Sequence, residues 1–190
     1  LQFYNSTGYV KYNNSTGEWD TDLSAAASKI SVKYEQPLSS FGTLPDPPYP
    51  DTFEENAYEF AGWYTTPECY TGSEVVWNTL KAPAQDLMLY AKWVPVVHEV
   101  NFFTSYDEMR AYETNGNAAT YYKKDVPHGN ILGTVETPTR VDESDLSLIF
   151  AGWFYMENGE KKAYSSLNMP INRDMNIFAE WSSHSPQPYK

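Results

Sequence analysis

The side chains able to do chemistry are few and scattered in this 190-residue chain. His98, His128 and His184 form no His-x-His or His-Glu-x-x-His pattern, so imidazole ligands for a metal are not spaced as a site. Cys69 is the single cysteine, which excludes an intrachain disulfide and a thiolate zinc site. Nothing in its sequence neighbourhood marks it as an activated thiol. Glu18, Asp20 and Asp22 alternate as acids but lack the further oxygen ligands and the glycine that a calcium loop requires. They read as a solvated loop or helix cap, as do Asp142, Glu143 and Asp145. No nucleophile elbow, phosphate-binding loop or dinucleotide glycine motif occurs, and no pair of carboxylates is singled out for acid–base work. The expectation is a chain with no catalytic residue, no metal ligand and no cofactor. Asn5-Ser6-Thr7, Asn13-Asn14-Ser15 and Asn14-Ser15-Thr16 match glycosylation sequons and read as polar turns.

Aromatic faces are the other chemistry on offer. The chain holds 6 Trp, 16 Tyr and 9 Phe, so stacking on a sugar or a partner's side chain needs weighing against burial. Trp63, Trp93, Trp153 and Trp181 recur at matched positions on strand-like segments, which assigns them to cores. Trp77 has Tyr164 as its counterpart. Trp19 has none, which makes it the candidate ligand-binding residue.

Charge narrows the partners. With 13 Lys plus Arg against 25 Asp plus Glu, the net charge of −12 repels a phosphate backbone and an anionic membrane. No run of 18 apolar residues is present to insert into a bilayer. Hydrophobic content of 41% is low for one large core, and an aromatic share of 16% compensates by burying much area per side chain. The chain starts directly on a strand-like segment and reads as a piece of something longer.

Two cassettes must position these aromatics. Phe60-Ala61-Gly62-Trp63-Tyr64 closed by Leu89-Tyr90-Ala91-Lys92-Trp93 is restated as Phe150-Ala151-Gly152-Trp153-Phe154 closed by Ile177-Phe178-Ala179-Glu180-Trp181. The offset is 90 from Phe60 to Phe150, 87 from Leu80 to Leu167 and 88 from Trp93 to Trp181, so length changes fall in loops. Two tandem units follow, at 1–94 and 95–182, with 183–190 as a linker or tail. Period-2 alternation puts Tyr58, Phe60 and Gly62 on one face of a strand and Ala61 and Trp63 on the other. It also makes Ile30, Val32 and Tyr34 a half-buried strand. A short helix is expected over Leu23–Ser28 and another over Asp107–Asn117, ending at Gly116. Val100-Asn101-Phe102-Phe103 restates Leu1-Gln2-Phe3-Tyr4, and Pro127 takes the place of Pro37. The first unit carries nine extra residues in front, placed around Asn13–Ser28. Val94-Pro95-Val96-Val97 is a short apolar join rather than a flexible tether.

The cassette of Phe60, Gly62, Trp63, Tyr64, Leu80, Pro83, Asp86, Leu89, Tyr90, Ala91, Lys92 and Trp93 resembles the Listeria-Bacteroides repeat, also called the internalin B-repeat. Phe150, Gly152, Trp153, Phe154, Leu167, Pro170, Asp174, Ile177, Phe178, Ala179, Glu180 and Trp181 carry the same resemblance. It implies an α+β, mainly β chain of two tandem β-grasp (ubiquitin-like) modules with enlarged front halves. It also implies a non-catalytic spacer and adhesion region on a secreted or wall-attached bacterial protein. The expected partners are neighbouring repeats of the chain and a host surface protein or glycan. Two alternatives stay open: a host-protein or glycan recognition module using the extra front segment, and an accessory domain of a larger surface enzyme.

Overall fold

The computed structural model describes residues 1–5, 8–13, 16–20, 31–42, 46–140 and 148–183. The expected helix over Leu23–Ser28, the acids Asp22, Asp142, Glu143 and Asp145, His184, Ser6-Thr7 and Asn14-Ser15 of the glycosylation matches, and most of the tail therefore lie outside the described residues. The chain separates into two compact units, Leu1–Pro95 and Val96–Lys190.

In the first unit, β1 (Gln2–Asn5), β2 (Gly8–Asn13), β3 (Glu18–Asp20), β4 (Tyr58–Tyr64) and β5 (Met88–Pro95) form one sheet in the order β3-β2-β1-β5-β4. In the second, β6 (Val97–Phe103), β7 (Tyr122–Pro127), β8 (Ile149–Glu157), β9 (Glu160–Tyr164) and β10 (Met175–Ser182) form a sheet in the order β7-β6-β10-β8-β9. Among the described residues one α-helix, α1 (Tyr106–Asn115), lies between β6 and β7 in sequence, and a single 3-10 turn spans Leu38–Phe41. Each sheet is mixed. Its first and last strands run parallel at the centre, β1 beside β5 and β6 beside β10, and every other neighbour is antiparallel. A parallel pair cannot be closed by a tight turn, so the chain between the two strands must cross a sheet face and cover it. The chain is thus α+β and mainly β.

The two cassettes are bulges, and this corrects the simple alternation expected for them. Phe60 pairs with Trp93 and Trp63 pairs with Ala91, so Ala61 and Gly62 together oppose Lys92. In the second unit Phe150 pairs with Trp181 and Gly152 with Glu180, which leaves Ala151 as the additional residue. An extra residue resets the pleat, so Phe and Trp three apart fall on one face instead of opposite faces. Their rings meet at 5.5 Å in the first unit and 5.2 Å in the second. The glycine supplies the backbone freedom: φ is 113° at Gly62 and 137° at Gly152, a region that side chains disfavour.

The cores follow from that placement. In the first unit Leu1, Phe3, Leu38, Trp63, Ala82, Leu89 and Ala91 are buried together. In the second, Val100, Phe102, Trp153, Tyr155, Ile177 and Ala179 occupy the matching face, capped by Leu132 and Ile171. The opposite face of the second sheet carries Phe103 and Phe178, covered by Met109 of α1. Ser105 caps α1 by accepting the Glu108 N–H at 3.3 Å, and the Glu108 carboxylate reaches back to the Thr104 N–H at 2.9 Å. Gly116 ends the helix in the left-handed conformation, donating to Tyr112 O at 2.8 Å.

The front halves are not one design with an insertion. Where β1 and β2 are joined through residues 6–7, β6 and β7 are separated by α1, and the first unit has instead the short β3. The nine extra residues are therefore the net of a helix in one unit and another segment in the other. Ser31–Tyr34 is not a strand: Tyr34 is 62% exposed and sits in a turn followed by Glu35 at φ 59°. Nor does Pro127 stand for Pro37. Pro37 bridges Lys81, and the matching bridge is Ile131 to Pro170, while Pro127 ends β7 against Val97.

Trp63→Ala or Trp153→Ala should each cost about 3–5 kcal/mol in the unit that holds it, measured by denaturant unfolding. Gly62→Ala and Gly152→Ala should each cost about 1–3 kcal/mol, from backbone strain. The loss should be larger at Gly152, where an added Cβ would lie 3.3 Å from Phe154 Cε2 and at Gly62 would meet nothing within 4 Å.

Candidate functional site

Trp19, the candidate from sequence, sits on β3 at the outer end of the first sheet, paired with Tyr12. It is half-buried, edge-on to Phe3 at 5.2 Å and tilted against Trp63 at 5.7 Å. Its inner face is thus part of the core wall.

The closing tryptophans are anchored alike. Trp93 Nε1 donates to Asn5 Oδ1 at 2.6 Å, and Trp181 Nε1 donates to Thr104 O at 2.7 Å. Asn5 ends β1 and Thr104 follows β6, so each indole ties the last strand of its unit to the first.

The titratable side chains gather in places the sequence did not mark. His98 Nε2 and His128 Nδ1 lie 2.9 Å apart, and Asp174 Oδ1 lies 3.6 Å from His98 Nδ1. The antiparallel register of β6 and β7, which pairs His98 with Val126, brings the two rings together across 30 residues of sequence. No short-range motif could have announced that. Asp174 is meanwhile held by accepting the Glu99 N–H at 2.9 Å. Among the described residues no group of three or more His, Cys, Asp and Glu side chains is placed to hold a metal ion.

Elsewhere the charges are structural. Hydrogen bonds from Lys123 and then Asn101 hold the Glu99 carboxyl below its usual range, and those from Lys162 and then Arg173 do the same for Glu157. Burial raises the Cys69 thiol, with Lys92 working against it, so this cysteine is less nucleophilic than a free one. Tyr164 is buried, its hydroxyl has no hydrogen-bond partner among the described residues, and burial pushes its pKa up to about 12.

The repeated bulge, the matched indole anchors and the mixed sheet define a structural unit that the chain builds twice. A profile of the Listeria-Bacteroides repeat domain matches residues 10–92 and 111–180. The chain is a member of the Listeria-Bacteroides repeat family. No solved structure matches it. Each match begins after the first strand of its unit and stops within the last one, so β1 and β6 lie outside the matched segments. Listeria-Bacteroides repeats are typical of bacterial surface proteins and are generally non-catalytic. No helix among the described residues is long and apolar enough to cross a membrane.

Tyr164 gives a test with a definite sign. Because its folded pKa exceeds the unfolded value, stability is intact below pH 10 and falls as pH rises from about 10 towards 12, where the unfolded state loses its proton first. Tyr164→Phe should remove that alkaline loss. It should leave melting at pH 7 unchanged or higher, because it deletes a buried hydroxyl that lacks a partner. Thermal melts from pH 7 to 11 on both forms measure this.

Proposed function

We propose that the two units are β-grasp-like modules serving as a spacer and adhesion region on the surface of a bacterium, without catalysis of their own. The observation that carries this reading is the self-sufficiency of each unit. Trp63 and Trp153 are buried in the cores of their own units, Phe60, Trp93, Phe150 and Trp181 pack against those cores, and the indole N–H of each closing tryptophan bonds within its own unit. A sheet with its first and last strands parallel at the centre supports the β-grasp reading. A stalk assembled from such modules needs each one to resist unfolding independently of what flanks it. The predominance of acidic side chains keeps an exposed protein soluble and away from anionic surfaces.

A second reading rests on Trp19. It stands on an outermost strand, in the part of the first unit that the second does not share, and its outer surface could receive a host protein or glycan.

Cutting between Pro95 and Val96 tests the spacer reading: each fragment should fold alone and melt cooperatively, and two unfolded fragments would overturn it. Tryptophan fluorescence titrated with mucin-type sugars separates the two readings. A spacer gives no saturable change, whereas quenching that is lost in Trp19→Ala assigns recognition to the front of the first unit.

A further inference from the structure

His98 stands near the start of β6, at the rim of the core of the second unit. Val100 and Phe102 of the same strand are buried in that core, and the period of two puts His98 on their face. Its side chain is only 11% exposed. His128 belongs to the turn after β7, where the Asn130 N–H donates to Pro127 O at 3.0 Å and Gly129 takes a φ of 78°. The His128 N–H donates to Val96 O at 2.7 Å and the Gly129 N–H to Ile171 O at 2.8 Å. The backbone that carries each ring is thus fixed before any ligand arrives.

The rings meet nitrogen to nitrogen, with His98 Nε2 and His128 Nδ1 2.9 Å apart and the ring centroids 5.1 Å apart. One nitrogen carries the proton between them and the other lends a lone pair. Asp174 decides which. Its Oδ1 lies 3.6 Å from His98 Nδ1, beyond a good hydrogen bond but near enough for its charge to favour the proton there. His98 Nε2 is then the acceptor. A metal-binding imidazole has this arrangement, its far nitrogen oriented by a carboxylate and its near one presenting a lone pair. The spacing fits as well. On a tetrahedral ion with metal–nitrogen bonds of about 2.0–2.1 Å, two imidazole nitrogens lie about 3.3 Å apart. The ring centroids then lie about 5.2 Å apart, against the 5.1 Å found, so a small tilt of each ring admits the ion without moving the backbone.

We propose that His98 and His128 form a two-imidazole site for a borderline divalent ion of the zinc class. The ion takes the place of the shared hydrogen, bound by His98 Nε2 and His128 Nδ1, and His128 carries its proton on the other ring nitrogen. Among the described residues no third His, Cys, Asp or Glu converges on the pair, so solvent completes the coordination. Imidazole nitrogen selects such an ion over Ca²⁺ and Mg²⁺, which take oxygen ligands. The net charge of −12 draws cations to the chain. Binding ties β6 to the turn after β7 and stabilises the folded second unit by mass action, because the unfolded chain holds no such pair.

The test uses the whole chain with ¹⁵N-labelled histidine, titrated with Zn²⁺ and separately with Mg²⁺, while the imidazole nitrogens are followed by long-range ¹H–¹⁵N correlation. Saturable one-to-one shifts of His98 Nε2 and His128 Nδ1 with Zn²⁺, and none with Mg²⁺, are expected. Melting of the second unit should move up as Zn²⁺ is added. His128→Gln keeps the backbone bonds of the turn and a side chain that can bond His98, so it should melt like wild type without the ion and lose the saturable response. Asp174→Asn keeps an oxygen for the Glu99 N–H and removes only the charge, so Zn²⁺ should bind about tenfold more weakly. It should also change the His98 tautomer before any ion is added, which a purely structural role would not do. A response that is absent, undiminished in His128→Gln, or equal with Mg²⁺ overturns the proposal.

Discussion

The β-bulge at the Phe-x-Gly-Trp cassette is the constraint from which the rest of each unit follows. Without the extra residue, Phe60 and Trp63 would point to opposite faces of β4 and only one of them could reach the core. With it, both rings sit on one face with the closing tryptophan, and three large aromatics form the floor of the core from two strands. The second unit repeats the arrangement with Phe150, Trp153 and Trp181. The glycine in the cassette is needed for its backbone angle more than for space, since at Gly62 an added Cβ would meet nothing within 4 Å.

Away from the bulge the units are free to differ, and they do so by substitution of function rather than by loss. A cation stands over the residue after the cassette tryptophan in both units, but from different strands. Lys92 of β5 lies 4.8 Å from the Tyr64 ring centre, while Lys161 of β9 lies 5.1 Å from that of Phe154 and pairs with Glu180. Glu180 occupies the position of Lys92. The charge at that position has reversed, and the cation is supplied by a strand that the first unit lacks. The front halves diverge further, with α1 covering Phe103 and Phe178 in one unit and β3 extending the sheet in the other. The rings on the closing tryptophan differ too: Tyr49, Phe53 and Phe60 stand against Trp93, and among the described residues Phe150 is the ring against Trp181.

Much of this was legible in the residues. The cassettes mark two repeats and their family, and Gly116 marks the end of α1, because a left-handed C-cap has a local signature. What alternation could not show is the bulge itself: a period-2 reading assumes an unbroken ladder, and the register shift depends on the partner strand. Ile30, Val32 and Tyr34 alternate like a strand, yet no strand among the described residues pairs with Ser31–Tyr34, and Glu35 turns the chain. Ile131 does the work expected of Pro127 because the bridge to Pro170 selects a place in the fold, not a residue type. The meeting of His98, His128 and Asp174 is likewise a product of register and loop placement, invisible to any motif.

The most direct test of the central role of the bulge is solution NMR of the ring contacts and backbone angles at the two cassettes. Positive φ at Gly62 and Gly152, with cross-peaks joining the Phe60 ring to Trp63 and Trp93, and the Phe150 ring to Trp153 and Trp181, is the predicted result. Extended backbone at both glycines, with Phe and Trp of each cassette contacting opposite faces of the sheet, would contradict it.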